Sequence, residues 1–367
     1  MVQKLRESFK LKDFYLMENR TYYEQQNLKN MLRIRDLTAD MPNWFLDFMR
    51  ACETTHASLT RLNYCFDTRV FLNYLISEHK DFAGYAMQSI SAEQLDRLTL
   101  RDLEIYVQYL GYYIKPDESE YENNEHGKAR KIASLRSLFK YLYKQGLISS
   151  NPAELLDMPK IHEKAIIRLS REEIASMIEI IESGEGLSER QKRYHAHTVL
   201  RDTAIVVLFL TTGIRISELV GLNIEDLNFK DLSFRVTRKG GDQSILYFDY
   251  ETEEALSEYL EQRKMQGSYS LSAPLFLSLK KNRITARAVE NMIEKYARLA
   301  APLKHITPHK LRSTYGTMLY QQTGDIYLVA DVLGHKDVNT TRKHYAAMAE
   351  EHRKEAAKAI RLRDEDR

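Results

Sequence analysis

Residues 204–222 read AIVVLFLTTGIRISELVGL, an apolar run followed closely by charged residues. The run is far too short to span a bilayer, so it predicts a buried, central helix. Gly213 ends that helix, and Arg215 follows where a buried charge must be paired or functional. Glu218 lies about one helical turn further on and can brace the guanidinium. Considered alone, Arg215 could also be an ordinary arginine at a helix terminus.

The rest of the second half is predicted to be helical, apart from one hairpin. Ser170 and Glu173 form a capping-box pattern that starts a helix. Two strand candidates, LSFRVTR and QSILYFD, flank the turn 239–242, which reads KGGD and is a hairpin signal. Further helices are predicted at 251–264, 285–299, 309–322 and 325–333, and a charged amphipathic helix ends the chain.

The first half shows about four helices between residues 40 and 150, because apolar residues recur at three- and four-residue spacing. The acidic segment 117–127 breaks the pattern and is predicted to be a loop. Pro159 and the mixed charges after it mark a domain boundary near 160–167. The predicted fold class is therefore mainly α, with a small β-sheet or hairpin in the second domain.

One helix of the first half is strongly basic. The stretch HGKARKIASLRSLFKYLYKQG contains no acid, and its basic side chains are Lys128, Arg130, Lys131, Arg136, Lys140 and Lys144. Such a helix can contact DNA phosphates, or it can be an amphipathic helix whose lysines are simply solvated. The net charge of +2, from 54 basic and 52 acidic residues, requires segregated charges if nucleic acid is the partner.

Length and composition indicate a folded, two-domain protein of the cytoplasm. A chain of 367 residues with 43% hydrophobic content is long enough and apolar enough to form two folded domains. Cys52 and Cys65 cannot make a disulfide framework or a metal cluster, and they fit a reducing compartment. Residues 1–20 have no apolar core, which argues against a signal peptide.

Cations, imidazoles and one tyrosine recur in four phrases of the second half: TTGIRISELVGL, VTRKGGD, ITPHKLRSTYGTM and LGHKDVNTTRKHYA. They contain Arg215, Lys239, His309, Arg312, His335 and Tyr345. Phosphoryl transfer through an enzyme nucleophile needs fixed cations, an in-line nucleophile and a proton donor. Arginine suits the first role because its planar fork binds phosphate oxygens in pairs. This set of residues is suited to a reaction in which the Tyr345 phenol attacks a phosphodiester. Tyr315 and Tyr320 are weaker candidates for the nucleophile.

These phrases resemble the signature of the tyrosine recombinase family, the phage-integrase and Xer-type enzymes that cut and rejoin DNA. The likeness spans residues 165–350 and extends weakly into the first domain. It implies that Arg215 and Arg312 hold the phosphate, and that His309 and Arg312 form the family's His-x-x-Arg pair. His335 would hydrogen-bond the phosphate, and Glu218 would be the acid that supports Arg215.

The resemblance also implies the two chemical roles. Tyr345 would be the nucleophile, because nearby cations lower the cost of ionising a phenol whose ordinary pKa is about 10. Lys239 would be the general acid for the leaving 5′-hydroxyl. Two details depart from the family's pattern. Uncharged or acidic residues at 242–244 replace the charges that often follow the lysine, and Tyr345 lies ten residues after His335, one more than in many members.

The resemblance divides the chain into domains. The implied parts are an N-terminal helical extension (1–38), a core-binding, SAM-like helical DNA-binding domain (39–158), a linker (159–167), a catalytic domain (168–350) and a C-terminal helix (351–367). The two domains would form a C-shaped clamp around a DNA duplex. The C-terminal helix, with a small apolar face from its alanines at 356, 357 and 359, could be exchanged between protomers.

The function implied is site-specific recombination through a 3′-phosphotyrosyl intermediate. The partners would be double-stranded DNA with inverted-repeat sites and three further copies of the chain in a tetramer, with accessory DNA-bending proteins as a further candidate. The task would be integration and excision, inversion or dimer resolution, for a bacterium, a phage or a mobile element. A type IB topoisomerase-like relaxer and a non-catalytic DNA-binding regulator of the same fold are the alternatives.

No cofactor, metal or membrane contact is expected from the sequence. It contains no CxxC, no HExxH and no acidic cluster of the two-metal nuclease type. It also contains no Walker-type glycine loop for a nucleotide. A covalent phosphotyrosine would conserve the energy of the phosphodiester bond, so strands could be rejoined without ATP.

Overall fold

A computed structural model of the chain describes residues 20–114, 118–161, 167–238, 240–334 and 338. The chain divides into two compact units, Met1–Lys164 and Ala165–Arg367. Over these described ranges both units are mainly helical, and each shows one small antiparallel sheet. Within the described ranges, no helix has both the length and the apolar character that a membrane crossing requires.

In the described part of the first unit, residues 20–114 and 118–161, the structure shows six helices, two short 3-10 turns and a two-stranded hairpin. The helices are α1 (Tyr22–Thr38), α2 (Asn43–Ala51), α3 (Ser58–Glu78), α4 (Ala92–Leu95), α5 (Leu100–Tyr109) and α6 (Glu125–Lys144). The 3-10 turns are Met87–Ser89 and Pro152–Leu155. Side-chain caps fix several of the helix starts, as where the Thr21 hydroxyl accepts from the backbone N–H of Glu24.

The core of the first unit is built around α6. Leu138, Phe139 and Leu142 of this helix are fully buried, and the Phe139 ring lies 6.1 Å from that of Phe71 on α3. The indole of Trp44 on α2 donates a hydrogen bond to the Ile90 carbonyl at 2.8 Å, so even the polar atom of this buried ring is satisfied.

The prediction of a loop over residues 117–127 was wrong in part. Strand β1 (Tyr112–Ile114) pairs antiparallel with β2 (Glu120–Glu122), with Tyr113 opposite Tyr121, and α6 already begins at Glu125. All three side chains of β2 are exposed. Because a solvated strand needs no apolar alternation, its acidic sequence gave no strand signal.

Between residues 167 and 334, the described part of the second unit shows seven helices, one 3-10 turn and a three-stranded sheet. The helices are α7 (Arg171–Ser183), α8 (Glu189–Thr212), α9 (Ile216–Leu219), α10 (Tyr250–Met265), α11 (Ala286–Ala300), α12 (Pro308–Thr323) and α13 (Ile326–Leu333). The strands are β3 (Leu227–Asn228), β4 (Ser233–Thr237) and β5 (Gln243–Tyr247), in the order β3-β4-β5, and the 3-10 turn is Ile224–Asp226. The helices predicted at 251–264, 285–299, 309–322 and 325–333 are confirmed to within one residue at each end. The predicted C-terminal helix 351–367 lies outside the described residues.

The predicted hairpin is confirmed as β4 and β5, with Phe234 opposite Leu246 in the antiparallel register. Gly240 and Gly241 lie in its turn with φ of 111° and 96°, values that side chains with a β-carbon rarely adopt. The capping box at the start of α7 is also confirmed, since Ser170 and Glu173 exchange hydrogen bonds. Strand β3 was not predicted, because two residues are too short for a periodic signal.

The apolar run of the opening stretch is the centre of the second unit. Every residue from Ala204 to Leu210 in α8 is buried, and the helix ends at Gly213 with φ of 61°. A β-carbon on Gly213 would lie 2.9 Å from Leu333 Cδ2 and 3.0 Å from Tyr315 Cε1. The end of α8 therefore lies directly against α12 and the end of α13.

Candidate active site

Arg215 occupies the position before α9, immediately after the end of the central helix. Its Nη1 donates to Glu218 Oε1 at 2.8 Å, and its backbone N–H donates to Glu218 Oε2 at 2.9 Å. The Glu218 side chain is 3% exposed, whereas that of Arg215 is 33% exposed. The buried carboxylate thus holds the arginine at both its backbone and its guanidinium, as the helical spacing predicted.

Arg312 is placed beside Arg215 by α12, although the two are far apart in sequence. It is 6% exposed, and its guanidinium donates to the carbonyls of Gly213 and Leu333. Arg215 Nη2 donates to the same Leu333 carbonyl at 3.0 Å and to the Gly334 carbonyl at 2.8 Å. Both guanidinium groups therefore converge on the last carbonyl of α13.

The ends of two helices supply these carbonyls, and this makes electrostatic sense. The last carbonyls of a helix lack intrahelical partners and carry partial negative charge. Arg312 donates one hydrogen bond to such an oxygen at the end of α8 and one to such an oxygen at the end of α13. Two neighbouring cations repel each other, and the partial negative charge of the shared Leu333 carbonyl offsets part of that repulsion. No pattern in the sequence predicts these backbone acceptors.

His309 lies in the first turn of α12, one turn before Arg312. Thr307 precedes the helix and Pro308 is its first residue, as predicted for a helix start. His309 is exposed while Arg312 is buried, so this turn presents an imidazole to solvent above a guanidinium in the interior.

The described residues thus bring together three of the seven predicted site residues: Arg215 contacts Glu218 directly, and it shares the Leu333 carbonyl with Arg312. His309 shares the helix of Arg312. The remaining three candidates are Lys239, His335 and Tyr345, and they lie outside the described residues. Their immediate neighbours Arg238 and Gly334 are described, and they contact each other.

Tyr315 and Tyr320 are packing residues of α12. Tyr320 is 7% exposed and belongs to a small apolar cluster with Val329 and Leu333 of α13. Tyr315 packs against the same cluster, and burial raises the pKa of its phenol although Arg312 opposes the shift. A nucleophilic phenol needs a lowered pKa and access to substrate. These two tyrosines are therefore poorly suited to attack DNA.

Four of the six basic side chains of α6 are engaged within the first unit. Lys131 is 4% exposed, and its Nζ donates to Asn123 Oδ1 at 2.7 Å. Arg130 pairs with the buried carboxylate of Asp67 at 2.5 Å. The burial of Lys131 favours a structural role for its ammonium.

Arg136 and Lys128 are held by local partners, whereas two further cations of α6 point to solvent. Arg136 donates to the Ala153 and Leu156 carbonyls around the 3-10 turn 152–155, and Lys128 pairs with Glu125 at 3.1 Å. Lys140 and Lys144 are exposed. The end of α6 therefore presents two exposed lysines to a polyanion.

The described residues contain no group of three or more histidines, cysteines or carboxylates placed to hold a metal ion. Cys52 and Cys65 are free and buried, and burial raises their pKa to about 11 and about 12. At neutral pH both are thiols, which are poor nucleophiles and poor metal ligands.

Comparisons with known proteins agree with the geometry. The model of the phage integrase family matches residues 168–352. Tyrosine recombinase XerC of Pelobacter propionicus is 31% identical over 281 residues, which cover 77% of this chain and 82% of that protein. Tyrosine recombinase XerS of Streptococcus uberis is 29% identical over 341 residues, covering 84% and 93%. The crystal structure of the XerH site-specific recombinase bound to palindromic difH substrate shares the fold, with a TM-score of 0.56, 21% identity and coverage of 82% and 80%.

Proposed function

This chain belongs to the phage integrase family of tyrosine recombinases, and from that membership we propose how its residues divide the chemistry of recombination. The protein is a tyrosine-type site-specific recombinase, an enzyme that cleaves and rejoins DNA. The observation that carries the assignment of residues is the pair Arg215 and Arg312, held side by side on one carbonyl in the unit that the family model matches.

Arg215 and Arg312 are proposed to bind the non-bridging oxygens of the scissile phosphate. Among the described residues, Arg215 makes three side-chain hydrogen bonds, to Glu218, Leu333 and Gly334. A guanidinium has five N–H donors, so donors remain for a phosphate. Because both arginines are already fixed by the protein, they can stabilise the charge of the transition state without reorganising. His309 and His335 would add hydrogen bonds to the same phosphate.

Tyr345 is proposed as the nucleophile. Its phenol would lose its proton to a positioned base, and its oxygen would attack the phosphorus, form a 3′-phosphotyrosyl bond and break the bond to the 5′ oxygen. Lys239 would give its proton to that oxygen, so that a 5′-hydroxyl leaves. The 5′-hydroxyl of a partner strand would then attack the phosphotyrosine and release Tyr345, which gives a Holliday junction and, after the second exchange, recombinants. The phosphodiester count is unchanged throughout, so no nucleotide cofactor is needed.

The first unit is proposed to complete a C-shaped clamp around the DNA duplex. In this proposal residues 39–158 form the core-binding domain, 159–167 form the linker and residues 1–38 are an accessory extension. Lys140 and Lys144 support the proposal, since they are exposed at the end of the basic helix α6. Contacts of this kind would attach the protein to phosphates without reading sequence.

The working assembly is proposed to be a homotetramer on two inverted-repeat sites. The second unit has an open cavity of about 280 Å³, and its lining residues are Arg171, Ile174, Ile178, Val207, Leu210, Thr211, Glu251, Met318 and Gln322. Its apolar floor could receive the alanine face of the C-terminal helix 351–367 from a neighbour. Light scattering on the protein with its DNA site would measure the mass, and a complex that never exceeds one protomer per duplex would refute the assembly.

A covalent-trap assay tests the reaction. Wild-type protein and Tyr345→Phe would be mixed with a pool of nicked duplexes carrying varied inverted repeats, then run on a denaturing gel. We expect a denaturation-resistant adduct with wild type alone and DNA binding by both proteins. Sequencing the trapped DNA would identify the site.

Other outcomes of the assay would change the assignment. An adduct with Tyr345→Phe would show that another residue is the nucleophile. DNA binding without an adduct in either protein would favour the non-catalytic regulator. Adducts on unrelated sequences, with relaxation of supercoils by a monomer, would favour the type IB topoisomerase-like enzyme.

A further inference from the structure

Arg238 begins the turn of the β4–β5 hairpin and immediately precedes Lys239. Its backbone N–H donates to the Asp242 carbonyl at 2.7 Å, and its carbonyl accepts from the Gly241 N–H at 3.0 Å. These two bonds close the turn on the Arg238 backbone. Wherever the Arg238 side chain is anchored, the base of the turn is therefore anchored too.

The Arg238 side chain is anchored at the end of α13, against Gly334. A β-carbon built on Gly334 would collide with the guanidinium, and even the more distant Nη2 would lie only 3.0 Å away. Gly334 also has φ of 60°, a left-handed conformation that ends the helix. Both the backbone conformation and the contact with Arg238 thus require glycine at this position.

The same glycine is bound to the phosphate-binding machinery on its other side. Its carbonyl accepts from Arg215 Nη2 at 2.8 Å, and the preceding Leu333 carbonyl accepts from both Arg215 and Arg312. Residues 333–334 therefore join three arginines, two from the proposed phosphate site and one from the hairpin. The next residue in the chain is His335.

Stability alone is a weak explanation for this contact. The Arg238 Nε is buried and has no hydrogen-bond partner among the described residues. An unsatisfied buried donor costs about 1–3 kcal/mol. Such a cost in a native protein calls for an explanation, and functional sites are where such costs are commonly found.

We propose that Arg238 is a positioning residue. It holds the hairpin turn that bears Lys239 against Gly334, and it thereby places the proton donor in position relative to the phosphate held by Arg215 and Arg312. This inference rests on the proposed function, in which Lys239 protonates the leaving oxygen. Arg238 acts through Lys239, and its own guanidinium faces the protein backbone at Gly334.

A substrate with a better leaving group tests this role. The DNA would be the site recovered by covalent trapping, made with either oxygen or sulfur as the 5′ bridging atom of the scissile phosphate. A thiol has a pKa of about 8.5, so a thiolate can leave without a proton donor, whereas an alkoxide cannot. The measurement is the single-turnover rate of adduct formation by wild type, Arg238→Ala, Arg238→Lys, Lys239→Ala and Arg312→Lys.

With oxygen we expect Arg238→Ala to be slower than wild type by about 100-fold, the effect of misplacing a catalytic group by roughly an ångström. With sulfur we expect it to return to within a few fold of wild type, as Lys239→Ala does. Arg238→Lys keeps the charge but lacks the planar guanidinium, so it should show a smaller defect that sulfur also removes. Arg312→Lys should be slow on both substrates, because its role is at the non-bridging oxygens.

Three results would overturn the inference. Arg238→Ala could be equally impaired with both leaving groups, which would indicate phosphate binding or general damage. It could be unimpaired with both, which would show that the contact has no catalytic role. Arg238→Lys could be impaired and resist rescue, which decides the question even if the alanine variant is unstable. Failure of the proposed function looks different, because wild type would then form no adduct with either substrate.

Gly334→Ala provides an independent check of the contact. Its new β-carbon would displace the Arg238 guanidinium, so it should slow cleavage of the oxygen substrate in the wild-type background. Once Arg238 is alanine, that collision no longer exists and only the backbone strain at φ of 60° remains, so Gly334→Ala should slow cleavage less there than in the wild-type background. Simple multiplication of the two rate effects in the double variant would mean that the residues are independent and would count against the proposal.

Discussion

At the scale of single residues, the Leu333 carbonyl is the point on which the proposed phosphate site depends. The sequence predicted that Glu218 would brace Arg215, because three-residue spacing places both on one turn. It could not predict the ligands of Arg312, which come from backbone atoms 99 and 21 residues away along the chain. Only the packing of α12 against the ends of α8 and α13 brings these atoms together.

The two glycines that end α8 and α12 allow a matched stability prediction. Gly213 and Gly324 have φ of 61° and 65°, so an alanine would have a strained left-handed backbone at either position. Only at Gly213 would the new β-carbon also meet a neighbour, 2.9 Å away at Leu333, whereas the space at Gly324 is open. We expect Gly213→Ala to lose about 1–3 kcal/mol more than Gly324→Ala in urea unfolding. Equal losses would show that α12 and α13 simply move aside.

At the scale of elements, α6 shows what a charge pattern can and cannot predict. Its six cations were predicted as one DNA-binding set, but sequence does not reveal which of them meet acids or carbonyls after folding. Asp67, which pairs with Arg130, lies 63 residues earlier on α3. The β1–β2 hairpin was missed for a related reason, because β2 is fully exposed and depends on β1 for its hydrogen bonds.

The exposed and buried lysines of α6 should therefore respond differently to substitution. We expect the double variant Lys140→Gln/Lys144→Gln to weaken DNA binding and to reduce the slope of log K against log salt by about 2, with stability unchanged. Lys131→Met should leave that slope alone but destabilise the first unit by about 1–3 kcal/mol, because Asn123 loses its partner. Salt titrations of DNA binding would measure the slope, and urea unfolding would measure the stability. A salt slope changed by Lys131→Met would contradict the assignment of Lys131 to a structural role.

At the scale of the whole molecule, the chain divides into two units, and one of them, the first, contains the buried carboxylate of Asp67. A change in the charge of this group should therefore affect the stability of the first unit. Asp67 is 3% exposed and accepts from Arg130 and from Ser134 at 2.6 Å. Burial raises its pKa above the ordinary 3.8, although Ser134 and Arg130 oppose the shift. The folded first unit therefore binds this proton more tightly than the unfolded chain does.

The sign of the resulting pH effect follows from that difference. A raised carboxyl pKa contributes stability at low pH, and this contribution is lost as the pH rises from about 3.8 through the raised pKa. Relative to Asp67→Asn, wild type should thus lose stability between acid and neutral pH. Calorimetry should show this in the unfolding of the first unit and leave that of the second unit the same in both proteins. A pH-independent difference between the two proteins, or a shift of the second unit, would refute this account.

The shared anchoring of the arginines also limits how this enzyme can be re-engineered. Chimaeras that join parts of two relatives are an attractive route to recombinases with new target preferences. Here the ligands of Arg215 and Arg312 come from Gly213 at one end and from Leu333 and Gly334 at the other. A crossover inside residues 213–334 would combine arginines from one parent with anchoring backbone from the other. Donor segments should therefore be transplanted with this block intact, and the crossover points placed outside it.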